Sequence, residues 1–155
     1  MKFTGKTISD MKPLNELLKR LTKLDTTHVE YGYDSTIHKG SGLPISTLAA
    51  IHEYGWFGNP ERDFMHQTNI NMLLEYKGKF ISDAEEYLYY GGNIKSLYTN
   101  FGKLGTDMIK DTIKAGNFVE NSAMTIKLKG RDEPLVDTGE LMNSAKYWVI
   151  KEPIK

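Results

Sequence analysis

Two consecutive helical patterns, separated by Gly91 and Gly92, constrain this chain more than any other feature. Residues 65–90 repeat apolar side chains three or four positions apart, which predicts a long helix. The residues expected to face its core side are Ile70, Leu73, Leu74, Phe80, Ile81, Ala84 and Leu88. Residues 93–115 predict a second long helix, with a stripe made of Ile94, Leu97, Phe101, Leu104, Met108, Ile109 and Ile113. Two such helices must bury their stripes, so the shorter segments are expected to pack against them.

Glycines inside these helices carry their own information. Gly78 lies within the first helix, where a glycine costs about 1 kcal/mol relative to alanine, so a break at this point stays open. Gly102 and Gly105 predict that the second helix passes close to a neighbouring element. Gly116 is expected to end that helix.

Two shorter segments also have helical patterns. Residues 9–24 predict a helix in which Ser9 or Asp10 is the N-cap. Its apolar stripe consists of Met11, Leu14, Leu17, Leu18, Leu21 and Leu24. Residues 44–54 predict a compact helix with a proline at its start and Gly55 at its end, the usual asymmetry of helix termini.

Strand patterns occur at both ends of the chain. Residues 29–33 alternate apolar and polar side chains, and residues 146–150 are rich in aromatic and β-branched side chains. With three to five strands beside the helices and no run of alternating βαβ units, the predicted class is α+β. Between the first strand and the compact helix, residues 34–42 predict a flexible, polar, glycine-rich loop.

Composition limits the classes of function. The 155 residues suit a single domain over 1–155, with its N-terminal helix in 1–25 and its loop at 34–42. Lys plus Arg and Asp plus Glu both number 20, so the basic excess typical of non-specific nucleic-acid or anionic-lipid binding is missing. The chain has no cysteine, which excludes disulfides and Cys-based zinc sites. Without an apolar leader or membrane-spanning run, we expect the protein to be made and assembled in the cytoplasm.

The most suggestive catalytic motif is Asp137-Thr138-Gly139, which follows a hydrophobic pair as in aspartic proteases. Glu140 stands where that family requires Ala or Ser, and only 16 residues follow Gly139, too few to complete a protease subunit. The helix-rich surroundings also disagree with a nearly all-β fold. A turn in which Asp137 or Thr138 bonds to backbone amides is the favoured interpretation.

Other catalytic or cofactor patterns are missing from the sequence. The four histidines are His28, His38, His52 and His66, and their spacing fits no pair of ligands on one helix face. Neither a phosphate-binding glycine loop nor a GxSxG nucleophile motif occurs. We therefore expect no metal, no cofactor and no enzymatic activity.

Three segments, in this order, resemble the small neck or tail-completion proteins of tailed bacteriophages, including the virion-morphogenesis proteins of Mu-like phages. The first is AAIHEYG at 49–55 with PERDFM at 60–65. The second is GNFVENSAMT at 116–125 with Lys129 and Gly130, and the third is PLVDTGEL at 134–141 with Ser144 and Tyr147. The resemblance covers roughly residues 29–150. Asp63, Met142 and Val119-Glu120 depart from the residues common in that family.

This resemblance implies a small antiparallel β-sheet packed against two long helices plus short helices. It also implies a homo-oligomeric ring in the virion neck or tail, which joins the capsid connector to the tail. Six-fold symmetry is favoured and twelve-fold symmetry stays open. The implied partners are portal, adaptor or stopper proteins on one side and tail-tube or terminator proteins on the other, with genomic DNA passing through the lumen and no membrane.

Candidate interface residues come from the first and third motifs, because aromatic side chains and arginine are favoured at interface hot spots. They are Trp56, Phe57, Arg62, Phe64, Met65, Asp137, Thr138 and Leu141. Two alternatives to a ring protein remain at this stage. One is a retropepsin-like aspartic protease that uses Asp137, and the other is a generic protein-interaction module outside the phage setting.

Overall fold

The computed structural model describes residues 11–56, 58–121, 126–127, 130, 135 and 139–153. Within these residues, five helices and two strands follow one another. They are α1 (Lys12–Asp25), β1 (Thr27–Gly32), α2 (Ile45–Tyr54), α3 (Phe64–Tyr90), α4 (Ile94–Ala115), α5 (Glu140–Asn143) and β2 (Lys146–Lys151). The predicted α+β class is confirmed.

Helix ends follow the predicted glycines. Gly55 and Gly116 cap α2 and α4 in the left-handed conformation, with φ of 68° and 67°. Asn93 caps the start of α4, because its side chain accepts a hydrogen bond from the backbone of Lys95. Gly78 causes no break, and α3 runs unbroken for 27 residues. The predicted caps of α1, Ser9 and Asp10, lie outside the described residues.

The sheet is a two-stranded antiparallel ribbon in which β1 pairs with β2, with Tyr31 opposite Tyr147 and Val29 opposite Val149. The expectation of three to five strands is wrong for the part of the chain that the structure describes. Besides this ribbon, the described residues contain an isolated β-bridge between Ile37 and Pro44. Residues 34–42 thus form a connection rather than another strand.

Close packing of this ribbon on α4 confirms the role predicted for Gly102 and Gly105. A Cβ atom on Gly102 would lie 2.5 Å from Cδ2 of Tyr147, and one on Gly105 would lie 2.4 Å from Cδ1 of Tyr31. Real Cβ atoms do not come so close to another atom, so only glycine lets the aromatic rings lie against the helix backbone.

In the described part of the chain, the buried apolar side chains form two clusters. The larger joins α2, the start of α3, the end of α4 and α5, through Ile45, Ala49, Phe64, Ile109, Ile113, Leu135 and Leu141. The smaller lies where α3 meets α4, around Tyr87, Ile94 and Tyr98, and Leu24 at the end of α1 packs against it.

The face that α3 buries differs from the predicted one. Ile70, Leu73, Leu74 and Ile81 were expected to face the core, but they are 43%, 63%, 79% and 47% exposed. Phe64, Thr68 and Met72 are buried instead. Their spacing of four residues slightly exceeds one turn, so the buried face shifts around the helix as α3 proceeds. Most of the apolar stripe predicted for α3 is therefore exposed to solvent.

Candidate interaction surface

Glu53 joins the two halves of the first motif. Its carboxylate accepts hydrogen bonds from the backbone amides of Met65 at 2.8 Å and His66 at 3.0 Å, in the first turn of α3. These amides have no partner inside the helix, and the positive end of the helix dipole favours an anion there. Glu53 therefore fixes the end of α2 to the start of α3.

Gly55 allows the chain to turn between those helices. A Cβ atom at this position would lie 2.6 Å from the backbone nitrogen of Glu61, and the φ of 68° is itself unfavourable for other residues. The spacing of the motif, a glutamate and then a glycine before PERDFM, thus has a geometric cause inside the subunit.

Arg62 connects the first motif to the second. The side chain is only 4% exposed, and its Nε donates to the carbonyl of Val119 at 3.0 Å. One terminal nitrogen donates to the carbonyl of Glu120 at 3.4 Å and to Oδ1 of Asn121 at 3.3 Å. A planar guanidinium with several fixed donors suits such a cluster of acceptors. Arg62 holds the segment after α4 against the start of α3.

Two further candidates of the first motif also contribute to the subunit core. Phe64 is fully buried and meets the ring of Tyr33 edge-on, with 6.2 Å between the ring centroids. Met65 is half-buried and packs against the same cluster. Burial raises the pKa of the Tyr33 hydroxyl, which has no hydrogen-bond partner among the described residues.

The third motif is described only in part, since Asp137 and Thr138 lie outside the described residues. Gly139 has a φ of 75° and precedes α5, and Leu141 in α5 is 5% exposed within the larger apolar cluster. Tyr147 of the same motif lies against Gly102. The described part of this motif therefore also packs within the subunit.

Trp56 is the one described candidate with an exposed side chain, at 64% exposure. Phe57, which follows it, lies outside the described residues. Arg62, Phe64 and Leu141 reach a partner subunit only if this packing opens, because their side chains are buried in the single chain.

A Ser–His–Glu group near α5 was missed at the sequence level, because Glu140 is about a hundred residues from the other two. Oγ of Ser41 lies 3.0 Å from Nδ1 of His38, and Nε2 of His38 lies 3.6 Å from a carboxylate oxygen of Glu140. The order resembles a hydrolase relay. However, Nδ1 already accepts the backbone N–H of Ser41 at 3.0 Å, and 3.6 Å exceeds hydrogen-bond distance. These contacts therefore hold the loop at residues 34–42 against α5.

Further contacts hold the same loop. Asp34 accepts hydrogen bonds from the Lys146 side chain and from the backbone of Thr36. The Lys146 ammonium, followed by the Thr36 contacts, holds the pKa of the Asp34 carboxyl well below its usual range. The start of the loop is thereby linked to β2.

Among the residues that the structure describes, two helices carry rows of exposed apolar side chains. No residue of α1 is buried. We call the apolar side chains on one side of α1 and at its N-cap the α1 stripe, and they are 41% to 55% exposed: Met11, Leu14, Leu17, Leu18 and Leu21. The outer face of α3 carries Ile70, Leu73, Leu74 and Ile81. Beside this face, between α3, α4 and β1, lies a groove of about 400 Å³ with a largely apolar lining that includes Met72, Phe80 and Phe101. The sequence identified these stripes but not their exposure.

Three observations concern other classes of site. In the described part of the chain, no three His, Asp or Glu side chains are grouped so that they could hold a metal ion. No helix there is both long and apolar enough to cross a membrane. Comparisons with protein-family models, curated protein sequences and solved structures each gave no match.

Proposed function

We propose that this protein is a structural component of a tailed-phage virion and forms a homo-oligomeric ring at the head–tail junction. The ring would join the capsid connector to the tail, and its role would be contact rather than catalysis. Copies related by a ring axis touch through two different patches of each subunit. The proposal therefore requires a subunit with two separate exposed surfaces suited to burial.

The exposed apolar surface is the observation that carries this proposal. Sixteen large hydrophobic side chains are exposed in the described part of the chain, and nine of them belong to the α1 stripe or the outer face of α3. Scattered exposed hydrophobic residues are normal, but rows of them along two helices are typical of contact surfaces. Such rows suit an assembly better than an independent monomer.

The contacts of the motif residues give separate support. Glu53, Gly55, Arg62 and Phe64 are motif residues, and each has a defined contact inside the subunit. Arg62 links the first motif to the second directly. Segments that hold one another in place would be expected to occur together, as the three ordered motifs do. The similarity to neck proteins thus concerns how the subunit is built, whereas the ring contacts are expected elsewhere on its surface.

Native mass spectrometry of the purified full chain tests the ring. The subunit mass is 17.6 kDa, and we expect a discrete species of six or twelve subunits that electron microscopy images as a ring with a central channel. In a joining assay, tail-less capsids and free tails should form infectious particles only when the protein is added.

Three results separate the proposal from its alternatives. A monomer at every concentration that also fails to join capsids to tails would overturn the proposal. Stable binding to a protein of some other system, without a ring, would favour the interaction module. Peptide cleavage that is lost on Asp137→Asn would favour the protease.

A further inference from the structure

The apolar side chains of helix α1 are left largely uncovered by their own subunit. The helix has 14 residues, a length at which an isolated helix is marginal in water. It is attached to the subunit near its C-terminal end, where Arg20 donates to the carbonyls of Leu88 and Tyr89 at 3.0 and 2.9 Å. Leu24 packs into the smaller apolar cluster. The α1 stripe is left half-exposed, so burying it would stabilise both the helix and an assembly.

A matching surface lies on the outer face of α3. Four residues of α3 follow one another at spacings of four, three and four, which puts them on one side of the helix: Leu74, Gly78, Ile81 and Glu85. All four are exposed, and we call them the α3 outer row.

Gly78 in this row has no packing partner among the described residues that would account for a glycine. A Cβ atom at this position would meet nothing within 4 Å, unlike at Gly102 and Gly105. Glycine in the middle of a helix is unfavourable by about 1 kcal/mol relative to alanine. A glycine between exposed apolar side chains lets another helix approach the α3 backbone closely.

Charge distinguishes between the possible occupants of this row. Helix α1 carries four basic residues against two acidic ones: Lys12, Lys19, Arg20 and Lys23 against Glu16 and Asp25. Residues 75–86 of α3 carry the opposite balance, four acidic residues against two basic ones: Glu75, Asp83, Glu85 and Glu86 against Lys77 and Lys79. Two copies of α1 would repel each other, whereas α1 and this part of α3 attract.

From these observations we infer that α1 of one copy docks its stripe on the α3 outer row of a second copy. The inference rests on the proposed ring and names the contact that builds it. Because the two surfaces differ, each copy contacts one neighbour through its α1 stripe and the other neighbour through its α3 outer row. Contacts of this heterologous type close into a ring when the rotation between neighbouring copies closes, as the proposed function requires.

Cysteine cross-linking tests this contact, since the natural chain contains no cysteine. Two full-length variants are made, Leu18→Cys and Leu74→Cys, at positions that are 50% and 79% exposed. Each alone and an equal mixture of both are treated with a short bis-maleimide. The expected result is a cross-linked dimer in the mixture and none in either variant alone. The double variant should give a ladder of multimers.

Lys19→Cys provides the matched control on the same helix. Its side chain is 68% exposed and lies on the side of α1 opposite the stripe. Mixed with Leu74→Cys, it should give no dimer. Circular dichroism of each variant checks that the fold is kept, which we expect because no residue of α1 is buried.

Other outcomes overturn the inference in distinguishable ways. A dimer from Leu18→Cys alone would indicate pairing of α1 with α1. A ring without a dimer in the mixture would remove this contact but leave the proposed function standing. Failure of the unmodified chain to form a ring would instead contradict the proposed function itself.

The charge argument has a separate readout. Raising the salt concentration from about 0.05 M to about 1 M shortens the Debye length to roughly 3 Å, which screens attraction between exposed helices. We expect the yield of the cross-linked dimer to fall several-fold over this range. A yield that is unchanged or higher would show that charge does not select the α3 row.

Discussion

The contact between the β-ribbon and α4 can be tested with a pair of glycine substitutions that should act in opposite directions. In Gly105→Ala the new methyl carbon would lie 2.4 to 2.8 Å from three carbons of the Tyr31 ring. That ring is held in place, because its hydroxyl donates to Asn69 at 2.7 Å and its strand pairs with β2. Overpacking of this kind costs up to about 3 kcal/mol, and the better helix propensity of alanine returns about 1 kcal/mol. We expect a net loss of about 2 kcal/mol.

Gly78→Ala is the matched control, because it makes the same chemical change in open space. Only the helix-propensity gain applies there, so the free energy of unfolding should rise by about 1 kcal/mol. For a domain of this size, Tm should fall by about 4–8 °C in Gly105→Ala and rise by about 2–4 °C in Gly78→Ala.

Thermal and urea unfolding followed by circular dichroism measures both variants, at a protein concentration where their assembly state is the same. If Gly105→Ala were as stable as the unmodified chain while Gly78→Ala gained stability, the ribbon would not be pressed against the α4 backbone. That result would refute the packing argument.

Three further substitutions test individual contacts. Glu53→Ala removes the acceptor for two amides at the start of α3 and should lower the free energy of unfolding by about 1 kcal/mol in urea titrations, whereas no loss would exclude the capping role. Tyr33→Phe removes a buried hydroxyl that has no partner among the described residues, so it should raise the free energy of unfolding by about 1 kcal/mol, and a marked loss would indicate that the hydroxyl is paired. The pKa of Asp34 is lowered in the folded state, first by Lys146, so its contribution is present above the pKa of the unfolded chain and is lost as pH falls. Asp34→Asn should therefore flatten the loss of stability below about pH 5, and an unchanged pH profile would exclude this role for the pair.

Element positions were predictable because local rules determine them. The glycines at 55 and 116 end helices where the sequence suggested, since each adopts a left-handed conformation that other residues disfavour. Period located both long helices and β1, and aromatic and β-branched composition located β2, each to within a few residues. Gly102 and Gly105 also indicated correctly that α4 is closely approached.

Which face of a helix is buried was less predictable. In α3 the side chains of Thr68 and Met72 are buried while Leu73 and Leu74 are exposed, because the neighbouring elements, and not hydrophobicity alone, decide which side is covered. Sequence reasoning also missed the contacts of Glu53 and Arg62, which depend on chain segments that meet only in three dimensions. The signal for the Glu53 cap in the sequence is an acidic side chain in the last turn of one helix, followed by a short connection to the start of the next.

Pairing of β1 with β2 has a consequence for how the protein is made. Thr27 lies opposite Lys151, so the ribbon joins residues that are more than a hundred positions apart in the sequence. During synthesis the helices between them can form early, but β1 must wait until β2 has left the ribosome before its partner exists. Contacts between such distant residues are slow to form because a long loop must close first. Formation of the ribbon thus depends on synthesis having passed β2, because a copy interrupted before β2 cannot form it.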